Sequence, residues 1–136
     1  MPTFRFNKII RNKLPEMYDS LHQRITSRRL TGVALLGALL NKDNEETEEL
    51  QAVIGDRVKM IDELADKRQI ALDFAAIAGI SEEEIESRRL EKLEEKGGFS
   101  SGIFVEKIML EQGDEWTDYY RGEPNKYPEL SDEENV

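Results

Sequence analysis

The chain of 136 residues contains no cysteine, a single histidine (His22), four prolines and one tryptophan. Without thiols there is neither a disulfide framework nor a thiolate zinc site, and a reducing compartment is the expected setting. There is no Ser-His-Asp set, no glycine-rich Walker loop and no CxxC pair, and His22 reads as a surface residue. The longest apolar run, "VALLGALL" at 33–40, is far shorter than the roughly 20 residues a membrane helix needs. No charged-then-apolar leader opens the sequence, so a cytoplasmic location and no membrane partner are expected. Positive charge is also scarce. Nineteen basic residues against 29 acidic ones give a formal charge of -10, which argues against stable nucleic-acid binding. A small anionic ligand would need a local basic patch or a metal.

What is present is helix punctuation. Asn12 is a candidate N-cap, with Pro15 tolerated in the first turn of a short helix. Thr31 can cap a long helix running to about Val53 and the Gly55 break, and a second long helix covers roughly 56–78 and stops at Gly79. Ser81 followed by Glu84 is a capping box for a third, 82–96, ended by Gly97 and Gly98. Period-two alternation in "TFRFNKII" and "IFVEKIML", with "RITSRR" as a loop or edge strand, suggests at most a few short peripheral strands. The fold class is therefore all-α, an antiparallel helix bundle. One helical domain over 1–112 is expected, with a polar tail over 113–136 that is extended or partly disordered and closes on the acidic "LSDEENV".

Two acid clusters break the helical pattern. Winding "IDELADKRQIALDF" (61–74) at roughly 100° per residue puts Ile70, Phe74 and Ile77 within about 40° of Glu63, and Asp66 about 60° away on the same apolar arc. In "NEETEELQAV", Leu39, Leu50 and Val53 lie within about 40° of Glu46, and Glu49 flanks it. If the two helices fold back across Gly55, residues 46–49 meet residues 63–66 and four carboxylates converge. An unpartnered buried carboxylate costs several kcal/mol, so the cluster calls for a divalent ion or for arginine or lysine partners, and both readings stay open. With oxygen ligands only, the ion would be Mg2+, with Mn2+ as a substitute. The acids of "SEEEIESRRLEKLEEK" are the contrasting case, a solvated face laced with ion pairs.

Basic and aromatic groups also divide between readings. Arg11 and Lys13 stand at a helix start, where a phosphate could dock or where surplus carboxylates could pair with them. Lys96 with Gly97 and Gly98 could approach a phosphate or simply end a helix. Trp116, Tyr119, Tyr120 and Arg121 fit either base stacking or packing of the tail.

The order Glu45, Glu46, two residues, Glu49, a thirteen-residue spacer, then Glu63 and Asp66 resembles the EExxE…ExxD signature of the MazG-like all-α nucleoside triphosphate pyrophosphohydrolases. "KIIRNKLPEM" at 8–17 resembles the KLVRDKIPE opening of its phosphoribosyl-ATP pyrophosphohydrolase-like branch, and "ELAD" at 63–66 and "EEKGGFSSGIFVEKI" at 94–108 resemble later landmarks. The resemblance implies magnesium-dependent cleavage of a nucleotide between its α and β phosphates, and a homo-oligomer (dimer or tetramer) that completes the core and the cleft. It implies Glu46, Glu49, Glu63 and Asp66 as metal ligands, Glu45 as an outer-shell group or the base for the attacking water, and Asp73 as a further acidic member. Arg11, Lys13 and Lys96 are the candidates for binding the nucleotide substrate. The sequence departs from the family at Asn12, where aspartate is usual, and at Lys67 and Arg68, where apolar residues commonly follow the ELAD. Hydrolysis of phosphoribosyl-ATP in histidine synthesis, or an inactive helical regulatory or oligomerisation module, are the alternative functions.

Overall fold

The computed structural model describes residues 1–131, so most of the acidic terminus "LSDEENV" lies outside the described residues. Among the described residues five helices form: α1 (Leu14–Ser20), α2 (Gly32–Ala52), α3 (Arg57–Ile77), α4 (Glu82–Lys96) and α5 (Thr117–Arg121). The protein is all-α.

Local chemistry sets the helix ends. Thr31 takes an extended backbone conformation ahead of α2, and the Asp56 side chain accepts from the Lys59 amide at 3.2 Å to start α3. At α4 the Ser81 hydroxyl accepts from the Glu84 amide while Glu84 reaches back to the Ser81 amide, a complete capping box. Lys13, not Asn12, occupies the N-cap of α1, because the fixed φ of Pro15 already presets the first turn and no side-chain cap bond forms. Gly55 (φ +99°) makes the turn between α2 and α3, a backbone conformation that other residues adopt only under strain.

The segments that alternate apolar and polar residues form no strand among the described residues. A period-two pattern needs a neighbouring strand to satisfy its backbone groups, and Ile103, Phe104 and Val105 are instead solvent-exposed.

Contacts divide the chain into two compact units, Met1–Gly97 and Gly98–Val136. The division falls at the Gly97–Gly98 pair that ends α4 rather than at 112/113, where composition turns polar; φ of +79° at Gly97 stops the helix. In the first unit, α2 and α3 are the helices that pack closely on one another. They run antiparallel, since Asp43 of α2 meets Lys67 of α3 while Glu46 meets Glu63 nearer the turn. Leu39 and Ala75 are the buried apolar side chains of the described residues, whereas Val33, Leu40, Val58, Ile61 and Leu64 on the same two helices are exposed. In the second unit, where the composition predicts an extended tail, α5 forms. Trp116, Tyr119, Tyr120 and Tyr127 gather there in edge-to-face and tilted contacts at centroid distances of 4.9–6.2 Å. Arg121 closes this cluster by bonding Glu129 at 2.8 Å.

Candidate metal centre

The hairpin brings Glu46, Glu63 and Asp66 together. Each offers a carboxylate oxygen within 4.8 Å of the other two, and this group could hold a metal ion. Glu46 comes from the middle of α2 and is 3% exposed; Glu63 and Asp66, one turn apart on α3, are half-buried. Among the described residues no hydrogen-bond donor reaches Glu46 Oε2 or Glu63 Oε2, although both atoms are shielded from water. Two carboxylates can bond one another only by sharing a proton, and that is the state the geometry favours without a cation. Burial first, then the contact with Glu63, then the negative charges of Glu49 and Asp66 push the Glu46 carboxyl up to about 7, against the opposing pull of Lys42. A divalent ion would remove the conflict at once, because it supplies the positive charge that both orphaned oxygens lack.

Cations from the chain itself occupy the rim. The Arg11 guanidinium bonds Asp66. Lys8 Nζ lies 3.3 Å from Glu45 Oε1, and Lys42 Nζ lies 3.8 Å from Glu45 Oε2 and 3.5 Å from Glu46 Oε1. Both readings of the carboxylate cluster are thus partly realised: Asp66 has its arginine, and Glu46 has a lysine on one oxygen and no donor on the other.

The other candidate residues lie outside this trio. Glu49 is exposed and acts on Glu46 through its charge. Glu45 sits between two lysines. Asp73 is exposed and accepts from Gln69 at 3.2 Å. Lys13 caps α1 and Lys96 ends α4, both exposed. Lys67 ties the two helices together by donating to Asp43 at 2.8 Å and to the Thr47 hydroxyl at 2.6 Å.

Sequence reasoning missed Lys8 and Lys42. Lys42 carried a readable signal, standing three and four residues before Glu45 and Glu46 on one helix face. Lys8 opens the "KIIRNKLPEM" motif, but nothing there points to a partner 37 residues away. Comparison with models of known families, with curated proteins and with solved structures gave no match to this chain, so the resemblance to the MazG-like enzymes rests on the motifs in the sequence.

Proposed function

We propose that the protein is a Mg2+-dependent nucleoside triphosphate pyrophosphohydrolase, with Mn2+ able to replace Mg2+, acting in the cleansing of the nucleotide pool. The observation that carries this reading is the pair of buried, donor-less oxygens on Glu46 and Glu63 beside Asp66. An all-oxygen donor set of this kind suits a hard ion that keeps several water ligands. Such an ion, when bound, supplies positive charge to a phosphoryl oxygen.

The chain's own residues divide the remaining work. Glu46, Glu63 and Asp66 would hold the ion, and Glu49 adds negative charge from the exposed edge of α2. Glu45, adjacent to Glu46, would take the proton of the attacking water. The water oxygen bonds to the α-phosphorus, the bond from that phosphorus to the bridging oxygen breaks, and pyrophosphate leaves a nucleoside monophosphate behind. Arg11 stands on Asp66 and is the basic candidate from the sequence that lies nearest this chemistry. The reading also includes a homo-oligomer: with Leu39 and Ala75 as its buried apolar side chains, the hairpin leaves Val33, Leu40, Ile61 and Leu64 for a second copy to cover.

The test is pyrophosphate release from a panel of nucleoside triphosphates and phosphoribosyl-ATP, with Mg2+, Mn2+ or chelator. Metal-dependent release from triphosphates supports the proposal. Release from phosphoribosyl-ATP alone transfers the protein to histidine synthesis, and no release from any substrate leaves a helical interaction module.

A further inference from the structure

Beside the carboxylate trio, but not part of it, a cavity of about 260 Å3 opens between the N-terminal arm and α2. Its walls include Phe6, Asn7 and Lys8 from the arm and Asn41, Lys42 and Glu45 from the helix. The two ammonium groups converge on one carboxylate, Lys8 at 3.3 Å and Lys42 at 3.8 Å from Glu45, so Glu45 already occupies the place of an anion between two cations. Lys42 reaches in the other direction to Glu46 at 3.5 Å and thereby joins the cavity to the acid cluster. Within the arm, Lys8 Nζ lies 5.5 Å from the centroid of the Phe6 ring, and Phe6 meets Tyr18 of α1 edge to face at 6.4 Å.

We infer that this cavity is the seat of the diphosphate end of the substrate, gripped by Lys8 and Lys42, and the inference rests on the nucleotide-hydrolase reading above. Three features argue for it. A phosphoryl group carries more negative charge than a carboxylate and accepts from both lysines in the same manner, so it can displace Glu45 from between them. Asn7 and Asn41, side chains able to donate, also line the walls. The volume of about 260 Å3 has room for a diphosphate. Displacement has a consequence for the chemistry: Glu45, released from two lysines, becomes a free carboxylate at the moment substrate binds. Recognition of substrate and release of the base are then one event, and the grip belongs to Lys8 and Lys42.

The probe is inorganic pyrophosphate, titrated calorimetrically into the full chain with Mn2+ and again in chelator, alongside Mn2+ alone. Lys8 touches Glu45 and none of the trio, so Lys8→Ala is expected to weaken pyrophosphate binding roughly tenfold. Affinity for Mn2+ alone should stay within about twofold, and Lys8→Arg, which keeps the charge, should retain most of the pyrophosphate affinity. Equal pyrophosphate affinity in wild type and Lys8→Ala, with both proteins folded by circular dichroism, overturns the inference, as does an absence of pyrophosphate binding by the wild type in both conditions. Lys8-dependent pyrophosphate binding in chelator, without any Mn2+ binding, supports the diphosphate seat while rejecting the metal centre, so the two proposals fail separately.

Discussion

The α2–α3 hairpin and helix α4 are both rich in glutamate, yet they treat it in opposite ways. On α4 every residue is exposed, Arg89 pairs with Glu86, Arg88 pairs with Glu91 at 3.0 Å, and Glu84 is bound to Ser81. The contact with Arg89 holds Glu86 below the ordinary carboxylate range, and the Ser81 amide and hydroxyl do the same for Glu84. In the hairpin, Glu46 is buried beside two other acids and its carboxyl rises to about 7. One residue type thus gives a solvated, ordinary helix face in one place and a strained acid cluster in the other. The difference lies in burial and in partners, not in the density of acid along the chain. A surface carboxylate is satisfied by water and an arginine; a buried carboxylate set against half-buried ones is satisfied by a shared proton or a cation.

The comparison can be tested from its strongest contrast downward. Glu63→Ala should lower pyrophosphate release roughly 1,000-fold, about 4 kcal/mol of barrier, with the helix content of the protein unchanged by circular dichroism. Glu86→Gln on α4 should leave the rate within about twofold. Equal losses from the two would erase the distinction between the helices.

Acidity gives the next effect. The unfolded chain releases the Glu46 proton near its ordinary 4.5, whereas the folded protein keeps it until about 7. Proton binding therefore favours the fold. That contribution is fully present below pH 4.5 and is lost as pH rises through 7, roughly 3 kcal/mol across the window. Denaturant unfolding of metal-free protein should show this slope, set by Glu46 facing Glu63, Asp66, Glu49 and Lys42, and Glu46→Gln should flatten it.

Metal should act on the same instability from the other side. At pH 8, Mg2+ at about 100 times its dissociation constant should stabilise the fold by about 2.7 kcal/mol. A melting temperature that ignores Mg2+ would reject an ion site in the hairpin. The smallest effect belongs to the ordinary helix: Ser81→Ala removes the cap of α4 and should cost about 1 kcal/mol in denaturant unfolding, without changing Mn2+ affinity.

Much of this architecture is legible in the sequence because it is written locally. Thr31 and the Ser81–Glu84 pair mark helix starts within a residue or so, and the Gly55 break turns one helix back upon the other. Once those ends are fixed, the angular positions of Glu46, Glu63 and Asp66 follow from helical geometry, and the fold-back at Gly55 is enough to group the three. Interactions that cross between segments are not written in this way. Nothing near Arg11 announces Asp66, 55 residues on, and nothing near Lys8 announces Glu45. The alternating segments mislead for a related reason: periodicity reports what a strand would bury, but whether a second strand stands beside it is decided elsewhere in the chain.

The tight connection at Gly55 has a further consequence. The phase between the two helices is set by the non-helical turn at residues 53–56, which fixes the face that α3 lays against α2. A single insertion would leave both helices intact and every acid in place along the sequence, yet swing Glu63 and Asp66 out of reach of Glu46. The loop is in this sense a timing element, and its length is as much a determinant of the acid trio as the acids themselves.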